Sequence, residues 1–509
     1  MALTEGISQE VVDAIYKAIT HDPKLPSANP TVSAWQLPPH PTIANIQSST
    51  LPQTTDYIVI GSGITGCSVT QGILDMDHHA HVTVLEARTF VSGATGRNGG
   101  QLVSPVGRTF MEMVERHGKE NAIQMTQFSL MNVQQLREMV RNADPQLQTE
   151  SEMRDVRKIM AVTDKESWQK AETSLDAFCE AFPDKKAYHR VVSGYNLLKK
   201  HNVKGAIGGF DHEAAALSPY RLFTGIFQRL LEVHADRLSL EANTPVIAIN
   251  HEESAEHSSE ISKAYPYIVT TPRGRIRARH VVHCTNAFAA HLLPALRGHV
   301  YPFRGTMSVQ SMGAHFENKG DSFSWSSIEQ TSLDGVSSLY RSGLMYLQQH
   351  TRTGHIWVGT ETANILDVLT ADDSKVSSDA RQYLQTFLPT YFEQAGVSQP
   401  ELKEIWTGIQ GHTSDCLPLV GLLPECLTAR KGTGEWICGA YNGYGMDKAW
   451  LSGKALVELI MGKEAPTWFP RCFLINEARF LHQMDTKHIL EKFKQLAQNA
   501  PQTTAKASL

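Results

Sequence analysis

Cysteine is scarce in this 509-residue chain: seven residues, an odd number at wide spacing, form neither a disulfide framework nor a paired zinc-ligand pattern. The 22 histidines show no metal-ligand spacing either, so no metal is expected. Long hydrophobic runs are also missing. The apolar runs are strand-sized, such as Tyr57-Ile58-Val59-Ile60, against the about 20 residues of a membrane helix. Basic residues are not in excess: Lys plus Arg number 47 against 52 Asp plus Glu, a net charge of -5. Without a clustered basic face, nucleic acid is not an expected partner. The N-terminal segment, with Glu5, Glu10 and Asp13 among scattered apolar residues, lacks the pattern of a signal peptide. Ala505-Lys506-Ala507-Ser508-Leu509 lacks the Ser-Lys-Leu order of a peroxisomal address. A cytoplasmic, reducing compartment is the expectation.

The composition is that of a globular protein, 41% hydrophobic and 19% charged. The length calls for two large domains or three small ones, since cores cluster near ~100–150 residues. Residues 1–50 read as a short helix (Val11 to Ile19) followed by a Pro-rich stretch, an arm lying over the main body rather than part of a core. Met111 to Val140 carries one long helical periodicity, and Tyr220 to Val233 another. Thr306 to Gly359 alternates at period two and predicts a mostly antiparallel sheet. A helix from Asp447 to Met461 closes the globule, and residues past about 485 read as a polar tail.

The chemistry starts at Asp56. A buried-strand run to Ile60 leads at once into Gly61-Ser62-Gly63-Ile64-Thr65-Gly66, then a helix through Leu74 and a strand ending at Glu86. Gly61 allows the tight turn, Gly63 lets the backbone approach a pyrophosphate, and Gly66 lets the helix pack on the strand. The helix N-terminus offers N–H groups and a positive dipole end to phosphates. Glu86, 20 residues after Gly66, is placed to accept hydrogen bonds from ribose hydroxyls. This motif alone does not separate NAD from FAD.

A second loop does. After Ala87-Arg88 comes Ser92-Gly93-Ala94-Thr95-Gly96-Arg97-Asn98-Gly99-Gly100-Gln101, rich enough in glycine to bring backbone N–H groups against an anion or a flat ring. Two later segments complete the set. Val281 to Ala289 reads as a strand and small-residue turn, and Trp406 to Gly421 as a loop, followed by Gly439-Ala440-Tyr441-Asn442-Gly443-Tyr444-Gly445-Met446 before the last helix. In this order the motifs resemble the D-amino-acid-oxidase-type FAD-dependent oxidoreductases, the superfamily of glycine and sarcosine oxidases. Gly93 to Gln101 most resembles the branch of γ-glutamylputrescine oxidase and related fungal proteins.

The resemblance, over roughly residues 55–465, implies an α/β fold with an α+β second domain. A Rossmann-type FAD domain (51–110, 215–300 and 405–465) is interleaved with a substrate domain (111–214 and 301–404) on a mixed or antiparallel sheet, and 466–509 follow as an extension. It implies FAD contacts at Gly61 to Gly66, Glu86, Ala87, Arg88, Ala94, Thr95, Arg97 to Gln101, Val246, Thr285, Asn286, Gly411, His412 and Asn442 to Met446. A helix N-terminus after Met446 would stabilise negative charge on the reduced ring; as the alternative, Gly443 and Gly445 are turn glycines only. The implied reaction is oxidation of a small amine or amino-acid-like substrate at a C–N bond, by hydride transfer to flavin N5, with O2 or another electron acceptor. Tailoring of a secondary metabolite, or a flavin-binding scaffold without turnover, are the alternatives.

Such chemistry rests on positioning and desolvation, and no catalytic triad is visible. Candidate side chains are His412 in the flavin-facing segment, Arg97 as a flavin or substrate contact or else a loop ion pair, and Tyr340 with Arg341 on the expected substrate-domain sheet. Sarcosine-oxidase relatives carry a lysine near N5 that promotes reaction with oxygen, and the similar strand here places Trp357 there. Relatives with covalent flavin use a cysteine where this chain has Gln410, while Cys416 lies beyond Asp415. FAD is therefore expected to be non-covalent. Acid precipitation of the purified protein should release the flavin absorbance into the supernatant; absorbance retained in the pellet would show a covalent link.

Overall fold

The computed structural model describes residues 7–252, 259–393 and 397–499, so Glu5 and residues 505–509 considered above lie outside the described residues. Apolar strand runs buried on both faces build a parallel sheet, as expected for strands covered by helices on each side. Thr54–Ile60 is its centre, pairing in parallel with Val82–Leu85 on one side and Gly274–His283 on the other. Leu238–Glu241 and Glu435–Gly439 extend it in parallel, and Leu419–Leu422 adds an antiparallel edge to this eight-stranded sheet. Helix Ile64–Met76 makes the crossover predicted from the glycine motif. Small residues let helix Ala449–Ile460 lie directly on it: Ser68 Oγ donates to Trp450 O at 2.6 Å, and a Cβ on Gly453 would come within 2.6 Å of that hydroxyl.

A nine-stranded sheet faces the first. Val300–Ser311 pairs antiparallel with both Ile356–Thr360 and Glu401–Thr413, while Phe323–Ile328 runs parallel to Arg154–Val162. The sheet is therefore mixed, and the strands that Thr306 to Gly359 contributes to it pair antiparallel with one another. Trp406 to Thr413, read from the sequence as loop, is the end of strand Glu401–Thr413. Trp406 and Thr413 are buried along it, and Gly408 to His412 line the cavity described below. Tyr340 and Arg341 are not on this sheet. Asp334 Oδ1 accepts from the backbone N–H groups of Val336 and Ser337, closing a tight turn that folds Leu339–Arg341 into a separate three-stranded sheet. The single helix expected from Met111 to Val140 is two, Val106–His117 and Lys119–Arg141, divided at Gly118, whose φ of +82° only glycine holds without strain. Among the described residues no helix is long and apolar enough to cross a membrane.

Both chain ends are more integrated than their composition suggested. In the Pro-rich arm Trp35, His40, Ile43 and Ala44 are buried; the Trp35 ring stacks on Trp357 at 3.8 Å and its Nε1 donates to Asn98 O at 2.7 Å. The polar tail contains an amphipathic helix, Thr486–Gln498, capped by Asp485. Its Ile489, Phe493 and Ala497 recur every fourth residue on one face and pack against Ile15 and Ile19 of helix Gln9–Thr20 and against Tyr340. Lysines and glutamate on the opposite face masked this stripe. Replacing the buried Phe493 with Ala should cost about 3–5 kcal/mol in chemical denaturation, the range for an aromatic lost from a packed core.

Candidate active site

A cavity of about 670 Å³ runs between the two large sheets. Its first wall is the glycine turn. Gly61 has φ +105°, with no room for a side chain, because a Cβ would sit 2.7 Å from Cys284 O. Gly66 does not line the cavity; a Cβ there would sit 1.9 Å from Gly61 O, so its role is the close packing of helix on strand. Gly63 caps helix Ile64–Met76 without a side-chain bond of its own; the Ile64 N–H donates to Thr95 Oγ1 at 2.9 Å, and Gly63, Ile64 and Thr65 line the cavity. Glu86 stands beside it, half-buried, with Oε2 accepting from Ser62 N and Oγ and Oε1 from Arg88 N. Val246 closes the same end. Beside the turn, just past the end of the neighbouring strand, Thr285 Oγ1 is buried and finds no hydrogen-bond partner among the described residues.

The second wall is the loop Ser92 to Gln101, and Arg97 holds it in shape. Arg97 is 3% exposed; its Nε donates to Ser92 O, and its Nη1 to Thr31 O and Thr407 O. Buried Asp373 lies 3.8 Å from Arg97 and 2.8 Å from Arg88. Burial and the neighbouring Arg88 pull the Arg97 guanidinium down to about 10 against the support of Asp373, which leaves it charged at neutral pH. Arg97 makes the loop-stabilising bonds and also lines the cavity. Ala94, Thr95, Asn98, Gly99 and Gln101 line the cavity, whereas Gly100 is packed behind it against Leu217 O and Gln348.

The third wall is the second sheet. Met307, Tyr346, Glu361, Gln410 and His412 meet there. Gln410 Nε2 donates to Glu361 Oε1 at 2.9 Å, and the Tyr346 hydroxyl donates to the same oxygen at 3.1 Å. With its amide so oriented, Gln410 turns Oε1 toward His412 Nε2, which donates to it at 3.0 Å. Burial, with Lys492 nearby, pushes the His412 imidazole down to about 3. At neutral pH the ring is therefore an uncharged hydrogen-bond donor, set between Phe303 and Tyr301, and has no proton to give as an acid.

The remaining sequence candidates divide. Ser62, Ile64, Thr65, Ala87, Asn286, Gly411, Asn442, Gly443, Tyr444, Gly445 and Met446 all line the cavity, as does Tyr340. Asn442 to Met446 form turns ahead of the helix that begins at Ala449 rather than Asp447. Arg341 does not reach the cavity: it is exposed and lies over the Tyr383 ring, because the small sheet aims it outward. Trp357 is likewise behind the wall, stacked on Trp35. Sequence reasoning missed Tyr346, Glu361, Asp373 and Lys158. Lys158 is 2% exposed, with Nζ donating to Gln101 Oε1 at 2.7 Å and to Trp325 O at 2.5 Å. The signals available were charges inside or next to strand runs: Lys158 opens Ile159 to Val162, and Glu361 follows Trp357 to Thr360.

The sequence profile of the family described as FAD dependent oxidoreductase (DAO) matches residues 56–459. Gamma-glutamylputrescine oxidoreductase of Escherichia coli is 25% identical over 245 residues, 46% of this chain; the chain spans about half, 50%, of that curated relative. Among solved structures, glycine oxidase from Geobacillus kaustophilus superposes with a TM-score of 0.61 at 17% identity, over 84% of this chain and 99% of that one. L-amino acid deaminase from Proteus vulgaris superposes with a TM-score of 0.60 at 14% identity, over 86% and 98%. These two likenesses establish a shared fold.

Arg97→Ala would strip donors from three carbonyls and leave Asp373 with Arg88 as its ion-pair partner. Each buried acceptor left bare costs about 1–3 kcal/mol, so the variant should lose at least ~3 kcal/mol of stability and purify with less flavin than the parent. A denaturation curve and the ratio of flavin to protein absorbance check both.

Proposed function

Because the chain belongs to the FAD-dependent oxidoreductase (DAO) family, we propose that it oxidises a small amine or amino-acid-like substrate at a C–N bond. The observation that carries this reading is the continuous cavity, with the glycine turn at one end and the Tyr346–Glu361–Gln410 cluster of the second sheet at the other. The curated relative named for a putrescine derivative and the glycine oxidase fold point to the same bond type.

The residues present fit FAD. The helix end at Gly63 has N–H groups and a positive dipole for a pyrophosphate, and the unpartnered Thr285 hydroxyl supplies a further donor in the same wall. Glu86 faces the end where a ribose would lie, although its oxygens are already engaged by Ser62 and Arg88 and accept additional bonds only through remaining lone pairs. Asn98, Gly99, Gly411 and Asn442 to Met446 would hold the ring. When bound, FAD supplies the acceptor for the hydride leaving the substrate carbon.

The protein's own part is placement. Tyr340, Tyr346 and Phe303 wall the substrate end, exclude water and restrict the substrate to poses in which the C–H bond faces the ring. His412, uncharged, fixes the Gln410 amide and through it the direction of the Glu361 carboxyl. No side chain needs to attack the substrate. Anaerobic addition of primary and secondary amines to the yellow holoprotein should bleach the visible flavin bands with saturation. A flavin that no amine or amino acid bleaches would refute this function and favour a tailoring or scaffold role.

A further inference from the structure

Charge is unevenly distributed around the substrate end of the cavity. The second sheet and its loops contribute two carboxylates to the lining, Glu329 and Glu361, and one lysine, Lys158, whose Nζ donates to Gln101 Oε1 and Trp325 O; none of Arg154, Arg157, Arg304 and Arg341 on its strands and the adjoining hairpin reaches it. The cations facing it come from other elements: Arg108, donating to the Tyr444 hydroxyl at 3.0 Å, Lys448, paired with Asp447, and Arg116 and Lys492. Arg304 is turned away to Asp367 and the Asp372 carbonyl, and Arg157 to Asp211. An α-carboxylate needs a forked guanidinium or an equivalent donor set, and this wall has none to give.

Glu361 is the opposite case. The groups that stabilise its charge are the Gln410 amide, the Tyr346 hydroxyl and Ser342, none of them a cation. Both bonds end on Oε1, and the donors from His412 through Gln410 point toward the carboxyl, an arrangement that accommodates an ionised acceptor. A carboxylate set in a low-dielectric wall without a counter-charge is costly, and a bound cation removes that cost. The surrounding tyrosines, Tyr340, Tyr346 and Tyr444, add ring faces and edges suited to an ammonium.

We propose that Glu361 docks the ammonium group of a cationic amine lacking an α-carboxylate, and that the site thereby selects amines over α-amino acids. The proposal rests on the reading of this cavity as a site of C–N oxidation. It also gives the substrate proton a destination. Burial raises the Glu361 carboxyl above the ordinary carboxylate range, so R–NH3⁺ and the carboxylate can become R–NH2 and the carboxylic acid, freeing the nitrogen lone pair without any other reactant.

The test compares n-butylamine with 2-aminopentanoate, which differs from it by the α-carboxylate alone. Calorimetric titration of the dithionite-reduced holoprotein reads binding without turnover. Butylamine should bind at least about tenfold more tightly than 2-aminopentanoate, the scale of one charge-assisted contact. E361Q should weaken butylamine by a similar factor, and E361D, which keeps the charge, should restore part of it. If E361Q does not retain flavin, the wild-type comparison and E361D decide. Equal affinity of the two ligands for the wild type, or unchanged butylamine affinity in E361Q, overturns the role of Glu361 while amine-dependent bleaching survives. If no amine either binds or bleaches, the oxidation reading itself falls.

Discussion

A buried guanidinium organises this molecule. Arg97 reaches the Pro-rich arm at Thr31, its own loop at Ser92 and the second sheet at Thr407, with Asp373 and Arg88 completing the charge balance. The loop it occupies is too rich in glycine to hold a shape by backbone preference, since each glycine gives up more conformational entropy on ordering than any other residue. Its rigidity is supplied largely from outside, by bonds to Thr31 and Thr407, two segments far apart in sequence. That is why the arm is not an appendage: without Thr31 and Trp35, the Arg97 donors and the Asn98 carbonyl would lose partners.

The same strand that meets Arg97 carries the polar chain of the cavity. Along Glu401–Thr413, Trp406, Gly408, Gln410 and His412 recur at every second residue on one face, so the buried Trp406 looks the same way as Gln410 and His412 at the cavity wall. Pairing with Val300–Ser311 fixes the register, setting His412 opposite Tyr301 and Gln410 opposite Phe303. A slip of one residue would swap every side chain to the other face, so the hydrophobic pattern that places Trp406 also places the donors. Site and core are one constraint in this sheet.

The dinucleotide-binding half was legible because its physics is local. A strand, a glycine turn, a helix and an acidic strand end occur within one crossover, and each position has one reading. The alternation of Thr306 to Gly359 was legible for the same reason. Glu361 and Asp373 were not, because nothing near them in sequence shows that Gln410 or Arg97 will lie against them. Arg341 misled in the opposite direction. It looked like a sheet residue, but the Asp334-capped turn turned its strand onto a separate sheet and its side chain outward. The helix Thr486–Gln498 was hidden by composition: three apolar residues at spacing four are enough to dock a helix whose other residues are charged.

Trp357 and Lys158 show how a substitution at one place shifts the electrostatics of a whole wall. The strand that offers a lysine in sarcosine-oxidase-like sequences offers an indole here, and that indole is committed to the Trp35 stack outside the cavity. Lys158, from a different strand, brings the amine that does line the cavity. Burial holds its pKa well below the ordinary lysine range, and its nitrogen is spent on the Gln101 side chain and the Trp325 carbonyl. Such an amine is spent on fixing Gln101. The lysine of this wall is thereby tied to Gln101 and the Trp325 carbonyl, while Glu361 is met by the Gln410 amide and the Tyr346 hydroxyl.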